Sequence, residues 1–160
     1  MRKVIVNSTP LIILCGIGKL HILKEMYQEI YIPPAVFQEV TAKEDSACQQ
    51  IRSAEDWIHI EEIKDLSEKK MYKAKLHDGE VEVMILAQEK KADLILLDDS
   101  AAKKTAKYLG LTVTGTLGVL IKAKQQGIIQ EIRPLLSEMR LNGFYINSVV
   151  ERMVLDLAEE

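Results

Sequence analysis

Leu94-Ile95-Leu96-Leu97 is apolar at every position and is followed at once by Asp98-Asp99. Such a run predicts a strand over Asp93–Leu97 that is buried on both faces, as in a parallel sheet covered by helices. Two carboxylates cannot finish such a strand inside a core, so they must reach solvent or a cation at its end. The chain repeats this arrangement. Val4-Ile5-Val6 ends at Asn7-Ser8-Thr9, Asp78-Gly79-Glu80-Val81-Glu82 opens a long apolar segment, and Glu39 sits late in a helix begun by Pro33-Pro34. In an open α/β sheet, ligands gather outside the carboxyl ends of the strands. Carboxylates crowded there repel one another unless a cation neutralises them. The pattern therefore points to a hard-metal site and to phosphate chemistry.

Strand and helix signals alternate along the whole chain. Strands are predicted over Lys3–Val6, Glu29–Ile32, Trp57–Ile60, Asp93–Leu97 and Thr112–Thr114. Ser8-Thr9-Pro10 carries the cap-then-proline signal of a helix start. Leu11, Leu14, Ile17 and Leu20 then keep helical spacing, broken by Gly16 and Gly18, and Ile22, Leu23 and Met26 continue on a second short helix. Further helices are predicted from Pro33-Pro34, over Ser46–Ala54, over Leu66–Lys75, and from Asp78 to about Lys90. The rest run over Ser100–Leu109, from Thr116 to Gln126, over Glu131–Leu141 and over Ser148–Leu157, with Gly110 and Gly127 as stops. The expected fold is an α/β/α sandwich of three layers around a mainly parallel sheet, with Val4–Val6 and Leu94–Leu97 as central strands. No repeat or linker interrupts residues 1–160, which read as a single domain.

The chain is 48% apolar and 28% charged, which fits a globular protein and not a disordered one. Cys15 and Cys48 lack CxxC spacing, so a reduced, cytoplasmic setting is expected. No apolar run approaches the roughly 18 residues that span a bilayer. Asn7-Ser8-Thr9 formally matches a glycosylation acceptor, which has no meaning in that setting. The net charge of −3 gives no general attraction to nucleic acid. Local clusters at Lys69, Lys70, Lys73, Lys75 and at Lys103, Lys104, Lys107 are candidate phosphate contacts around an acidic centre. Solvated helix faces would give the same pattern.

Each acidic residue also has a plainer reading. Asp99 or Ser100 suits the N-cap of the following helix. Glu80 and Glu82 complement the dipole of a helix first turn, and Glu39 flanks an apolar helix face. His21, His59 and His77 share no metal-ligand spacing. Met26, Met71 and Met84 suit core filling. Leu20, Ile22, Leu23 and Met26 together suggest an apolar patch too large for one small chain to bury, and hence a homodimer.

Taken in order, the motifs resemble those of PIN-domain ribonucleases. Val6-Asn7-Ser8-Thr9-Pro10-Leu11-Ile12 is similar to the family's opening strand end, Asp-Thr/Ser-Ser/Thr-x-Leu-Ile. Ile32-Pro33-Pro34-Ala35-Val36-Phe37-Gln38-Glu39-Val40 resembles its Ile-Pro-x-x-Val-x-x-Glu helix. Gly79 to Ala87 looks like its third acidic helix, with Glu80 at the usual Asp position, and Leu96-Leu97-Asp98-Asp99 resembles its fourth acidic element. Val113 to Leu120 is similar to the tail of a branch known as predicted nucleic-acid-binding proteins. The resemblance covers about Val4 to Phe144.

The resemblance implies a Mg²⁺- or Mn²⁺-dependent endoribonuclease. Glu39, Glu80 and Asp99 would be the catalytic carboxylates, and with Asn7 and Asp98 they would hold the metal. Thr9, Thr116 and Lys103 would face the RNA, and Glu82 would stand near as a structural carboxylate. It further implies a toxin paired with a small antitoxin protein. One position departs from the pattern: the first acid is Asn7, whose carbonyl can still meet a cation but brings no charge. Hence the alternative, a catalytically weakened PIN-fold module that binds nucleic acid or regulates. A dinucleotide-binding fold would need a glycine-rich turn after the first strand, which Asn7-Ser8-Thr9-Pro10 lacks. A phosphoacceptor receiver would carry its acidic pair after the first strand rather than a late one.

Overall fold

The computed structural model describes residues 2–65, 69 and 76–160, and the sheet expected from the alternating pattern is there. Its strands are β1 (Val4–Val6), β2 (Ile30–Ile32), β3 (Ile58–Ile60), β4 (Leu94–Leu96) and β5 (Val113–Thr114), in the order β3-β2-β1-β4-β5. Every pairing is parallel. Val4, Ile5 and Val6 lie beside Leu94, Ile95 and Leu96, and Ile5 lies beside Tyr31 on the other side. β1 and β4 are buried at every position, whereas the edge strands β3 and β5 are partly open. All-apolar strands are what burial on both faces demands.

Nine helices among the described residues cover the sheet in an α/β/α sandwich: α1 (Ser8–Gly16), α2 (His21–Tyr27), α3 (Pro34–Val40), α4 (Ser46–Arg52), α5 (Asp78–Glu89), α6 (Ser100–Tyr108), α7 (Thr116–Gln125), α8 (Arg133–Leu141) and α9 (Ser148–Leu157). α1 packs on α3 and α4, α3 on α5, and α5 on β1, while α6 lies against β5 and α7 against α9. The strand order reverses between β1 and β4, because the chain builds outward from β1 through β2 and β3 before returning to β4. That reversal leaves a crevice outside their carboxyl ends.

The first helix stops at Gly16, where the break was expected, and Gly18 follows at φ +67°, a conformation that glycine adopts without the penalty of a Cβ. The helix expected from Glu131 begins at Arg133, because the Glu160 carboxylate accepts from the Ile132 and Arg133 amides at 2.7 and 3.0 Å and caps it from outside. The helix expected over Leu66–Lys75 lies outside the described residues except for Lys69, and so do Met71, Lys70, Lys73 and Lys75.

The apolar patch expected on the early helices is not there. Leu20, Ile22 and Leu23 are buried in the protein's own core, and Met26 packs against it. The apolar periodicity of α2 is spent on its own sheet. The exposed apolar side chains include instead Tyr145, Val149, Met153 and Leu157, on and just before α9. Among the described residues no helix is long and apolar enough to cross a membrane.

Candidate active site at the ends of the central strands

β1 delivers Asn7 to the crevice. Its backbone N–H donates to Leu96 O at 3.0 Å, so Asn7 sits one step beyond the paired residues Val6 and Leu96, level with Leu97 and one residue short of Asp98. Asn7 is buried, and among the described residues its Oδ1 has no hydrogen-bond partner. An orphaned buried amide oxygen costs on the order of 1–3 kcal/mol, so native proteins seldom leave one unless something binds it.

What faces that oxygen is a bare patch of helix backbone. A Cβ added to Gly79, in the first turn of α5, would lie 3.5 Å from Asn7 Oδ1 and 3.0 Å from Glu39 Oε2. Two oxygen donors, one at the end of β1 and one on α3, thus converge over a glycine whose missing side chain keeps the space open. Ser8 holds the second donor, since its Oγ donates to Glu39 Oε2 at 2.7 Å. Asn7 and Glu39 are hard donors of the kind a divalent cation takes, and the orphaned oxygen and the glycine cradle both fit such an ion. Glu39 is solvent-exposed, so the cradle is reachable.

A second group forms at the end of β4. Asp98 accepts from Thr116 N at 2.8 Å and from Thr116 Oγ1 at 2.6 Å, tying the end of β4 to the start of α7. Lys103 reaches the same spot from α6. A Cβ on Gly115 would lie 2.7 Å from Lys103 Nζ and 2.8 Å from Asp98 Oδ1. Asp98, Lys103 and Gly115 line an open cleft of about 470 Å³ whose other wall includes Val150, Met153 and Leu157.

Two carboxylates expected in the centre are engaged by their own helices. Glu80 is buried and accepts from the His77 amide at 3.0 Å, closing the start of α5. Asp99 is exposed and accepts from Ala102 N at 2.9 Å as the N-cap of α6. Either would have to release its cap, or use its other oxygen, to meet a ligand. Thr9 is exposed at the start of α1. Glu82 is buried, accepting from Ala35 N at 3.1 Å and from Lys69 Nζ at 2.9 Å. That hydrogen bond is the main reason the Lys69 ammonium titrates above its ordinary value. Among the described residues no group of three or more His, Cys, Asp or Glu side chains is arranged around one point.

Sequence reasoning passed over Ser8 and Gly79 as site residues. Ser8 was legible only as part of a helix start, and a glycine between Asp78 and Glu80 carries no signal until the opposing helix is in place. Cys15 is no nucleophile: burial first, and then the Asp45 charge, pushes its thiol up to about 12. No curated protein gives a significant match to the chain. The PIN-domain family profile matches residues 3–160. Such domains are generally nucleases and typically use divalent metals. With a wholly parallel five-stranded sheet and a crevice between β1 and β4, the chain belongs to the PIN-domain family, and its fold is a nuclease fold.

Proposed function

We propose that this protein is a Mg²⁺- or Mn²⁺-dependent endoribonuclease whose centre is built on Asn7 and Glu39, with Glu80, Asp98 and Asp99 as the further acidic groups. The observation that carries this reading is the unpartnered, buried Asn7 Oδ1 facing Glu39 across Gly79. Asn7 and Glu39 would hold a divalent cation there, and its chemistry would be activation of water and neutralisation of charge on the scissile phosphate. The chain's own residues do the rest. Ser8 fixes the rotamer of Glu39 through a 2.7 Å hydrogen bond. Lys103, held over Gly115, offsets the negative charge that would otherwise repel a phosphate backbone. Asp98 keeps both donors of Thr116 occupied, so Thr116 orients the Asp98 carboxylate, and Thr9 presents its hydroxyl at the open rim.

The test is incubation of the purified protein with mixed RNA and Mg²⁺ or Mn²⁺, with an EDTA control. Cleavage should need the metal, Mn²⁺ should raise Tm, and a combined Glu39→Gln, Asp99→Asn variant should lose both effects. RNA binding without cleavage would select the second reading, a catalytically weakened nucleic-acid-binding or regulatory module. Two features favour that reading: the amide at position 7, and the capping of their own helices by Glu80 and Asp99.

Narrower proposals rest on the resemblance to PIN ribonucleases: a toxin role with a small antitoxin partner, a homodimer and a cytoplasmic setting. Free, buried Cys15 and Cys48 suit a reducing compartment. A homodimer would draw on the apolar row Tyr145, Val149, Met153 and Leu157, and a monomer mass in light scattering at micromolar concentration would count against it.

A further inference from the structure

The Asn7–Glu39 cradle depends on the spacing of α3 and α5, because Glu39 lies on α3 and Gly79 on α5, with Asn7 at the end of β1. α3 and α5 pack closely along one seam, and two contacts on it bear on the cradle. At the first, Gly79 faces Glu39 Oε2 at 3.0 Å and Val36 Cγ2 at 3.5 Å, both measured from the position of an added Cβ. At the second, Glu82 Oε1 accepts from Ala35 N at 3.1 Å. Glu82 follows Gly79 by three residues, and Glu39 follows Ala35 by four, so each pair shares a helix face about one turn apart. The Glu82–Ala35 bond therefore joins the two helices about one turn from the cradle.

We propose that Glu82 is a positioning residue whose hydrogen bond to the Ala35 amide holds α3 against α5, so that Glu39 and Asn7 meet over Gly79. The inference rests on the proposed metal-binding role of that cradle. The alternative for a buried glutamate on the Gly79 face of α5 is that it ligates the ion directly. Its two oxygens already accept from Ala35 and Lys69, which argues for the strut. Ala35 N is otherwise an orphan donor, because the first turn of a helix has no intrahelical acceptor for it. Glu82 satisfies that donor, and its effect on the cradle is transmitted by the helix.

Glu82→Gln and Glu82→Ala separate these roles, since glutamine keeps an oxygen for the Ala35 amide but removes the charge by which a glutamate ligand would bind the ion most strongly. Three measurements are made on the full chain: exchange of the Ala35 amide proton, the ¹³C shift of the Glu39 carboxyl carbon without metal, and Mn²⁺ affinity by calorimetry. Glu82→Gln should preserve Ala35 protection and the Glu39 shift and keep Mn²⁺ affinity within about threefold. Glu82→Ala should lose the protection, move the Glu39 shift and weaken Mn²⁺ binding roughly 10- to 100-fold, the range seen when a ligand's support is removed. If the alanine variant does not fold, Glu82→Met fills the same volume without an acceptor and takes its place. The proposal is overturned if Glu82→Gln weakens Mn²⁺ binding as much as alanine does while Ala35 stays protected. It is equally overturned if the acceptor-less variant leaves the Glu39 shift unchanged. A wild-type protein that binds no Mn²⁺ defeats the proposed function alone, and the two metal-free measurements still decide the role of Glu82.

Discussion

The ends of β1 and β4 lie side by side, yet they are finished in opposite ways. At the end of β4 the polar groups are mutually satisfied: both Asp98 oxygens accept from Thr116. At the end of β1, among the described residues, the Asn7 oxygen is buried with no donor, and Ser8 holds Glu39 through one oxygen. The β4 end therefore has the character of a joint, and the β1 end that of a receptor. Buried polar groups left without partners mark places where a protein accepts a cost in the free state for the sake of a ligand. Residue type alone hides this distinction; the hydrogen bonds expose it.

The largest expected effect breaks the joint. Asp98→Ala strips the Thr116 N–H and hydroxyl of a charged acceptor and should cost about 2–3 kcal/mol of stability, given the usual worth of hydrogen bonds to charged groups. Urea denaturation monitored by circular dichroism measures it. A loss below about 0.5 kcal/mol, the size of a neutral surface change, would mean the β4 end is not a joint, and the comparison would fail.

The receptor end should answer differently, and Asn7→Asp is the probe. A carboxylate placed there would be buried close to Glu39, and desolvation together with like-charge repulsion would lower the metal-free Tm. Mn²⁺ supplies the missing counter-charge, so its stabilisation of the variant should exceed that of the wild type, growing with the ratio of ion concentration to Kd. Tighter Mn²⁺ binding by about tenfold (roughly 1.4 kcal/mol) and faster RNA cleavage are expected. If thermal shift and calorimetry find neither change, position 7 is not a ligand.

How legible this was in the sequence varied with the physics behind each residue. β1 and β4 could be read directly, since Val4-Ile5-Val6 and Leu94-Ile95-Leu96 are apolar at every position and only a doubly covered strand needs that. Glu39 became a candidate through the likeness of Ile32–Val40 to the family's Ile-Pro-x-x-Val-x-x-Glu helix, since alone it reads as a residue flanking an apolar helix face. Which of Asp98 and Asp99 turns towards α7 was not legible, because successive residues after a strand point to opposite sides, and the choice depends on where α6 begins. Asp99 became the N-cap of α6, which frees Asp98 for Thr116. The same holds for Glu80 and Glu82, which differ by about 200° around α5. Glu82 shares a face with Gly79, and Glu80 folds back on the helix start. The expected dimer patch failed because amphipathic spacing in α2 does not say whether the partner is another chain or the chain's own sheet.

Gly79→Ala sharpens the comparison with a smaller, split effect. Alanine is a better helix residue by about 0.8–1 kcal/mol in a helix interior, and less in a first turn. The new Cβ, 3.0 Å from Glu39 Oε2, displaces only the end of a flexible side chain. The variant should therefore hold or slightly raise its metal-free Tm while Mn²⁺ affinity falls several-fold. Stability and binding moving in opposite directions is the signature of a space kept open for a ligand. If both fall together, Gly79 is simply a packing position.

The smallest effect serves as a control far from the crevice, at the carboxylate that caps α8. Burial pushes the Glu160 carboxyl up, but the Ile132 and Arg133 amides and the Lys124 ammonium outweigh it and hold the group below its ordinary value. A depressed carboxyl contributes stability that is fully present above its unfolded value, near 4.5, and is lost as pH falls through the folded value. Urea midpoints taken from pH 6 down to pH 3 should therefore decline less steeply in Glu160→Gln than in the wild type, and neither slope should respond to Mn²⁺. The Asn7→Asp variant should behave in the reverse sense. An acid crowded by Glu39 has its folded value raised, so acidification neutralises the added carboxyl and relieves the strain, and Mn²⁺ does the same at neutral pH. Two carboxyl groups in one chain would then titrate with opposite sign, one because its partners are already supplied by the fold and one because its partner is an ion. If Glu160→Gln leaves the acid limb unchanged, the α8 cap adds nothing to stability and the contrast must rest on the β4 joint alone.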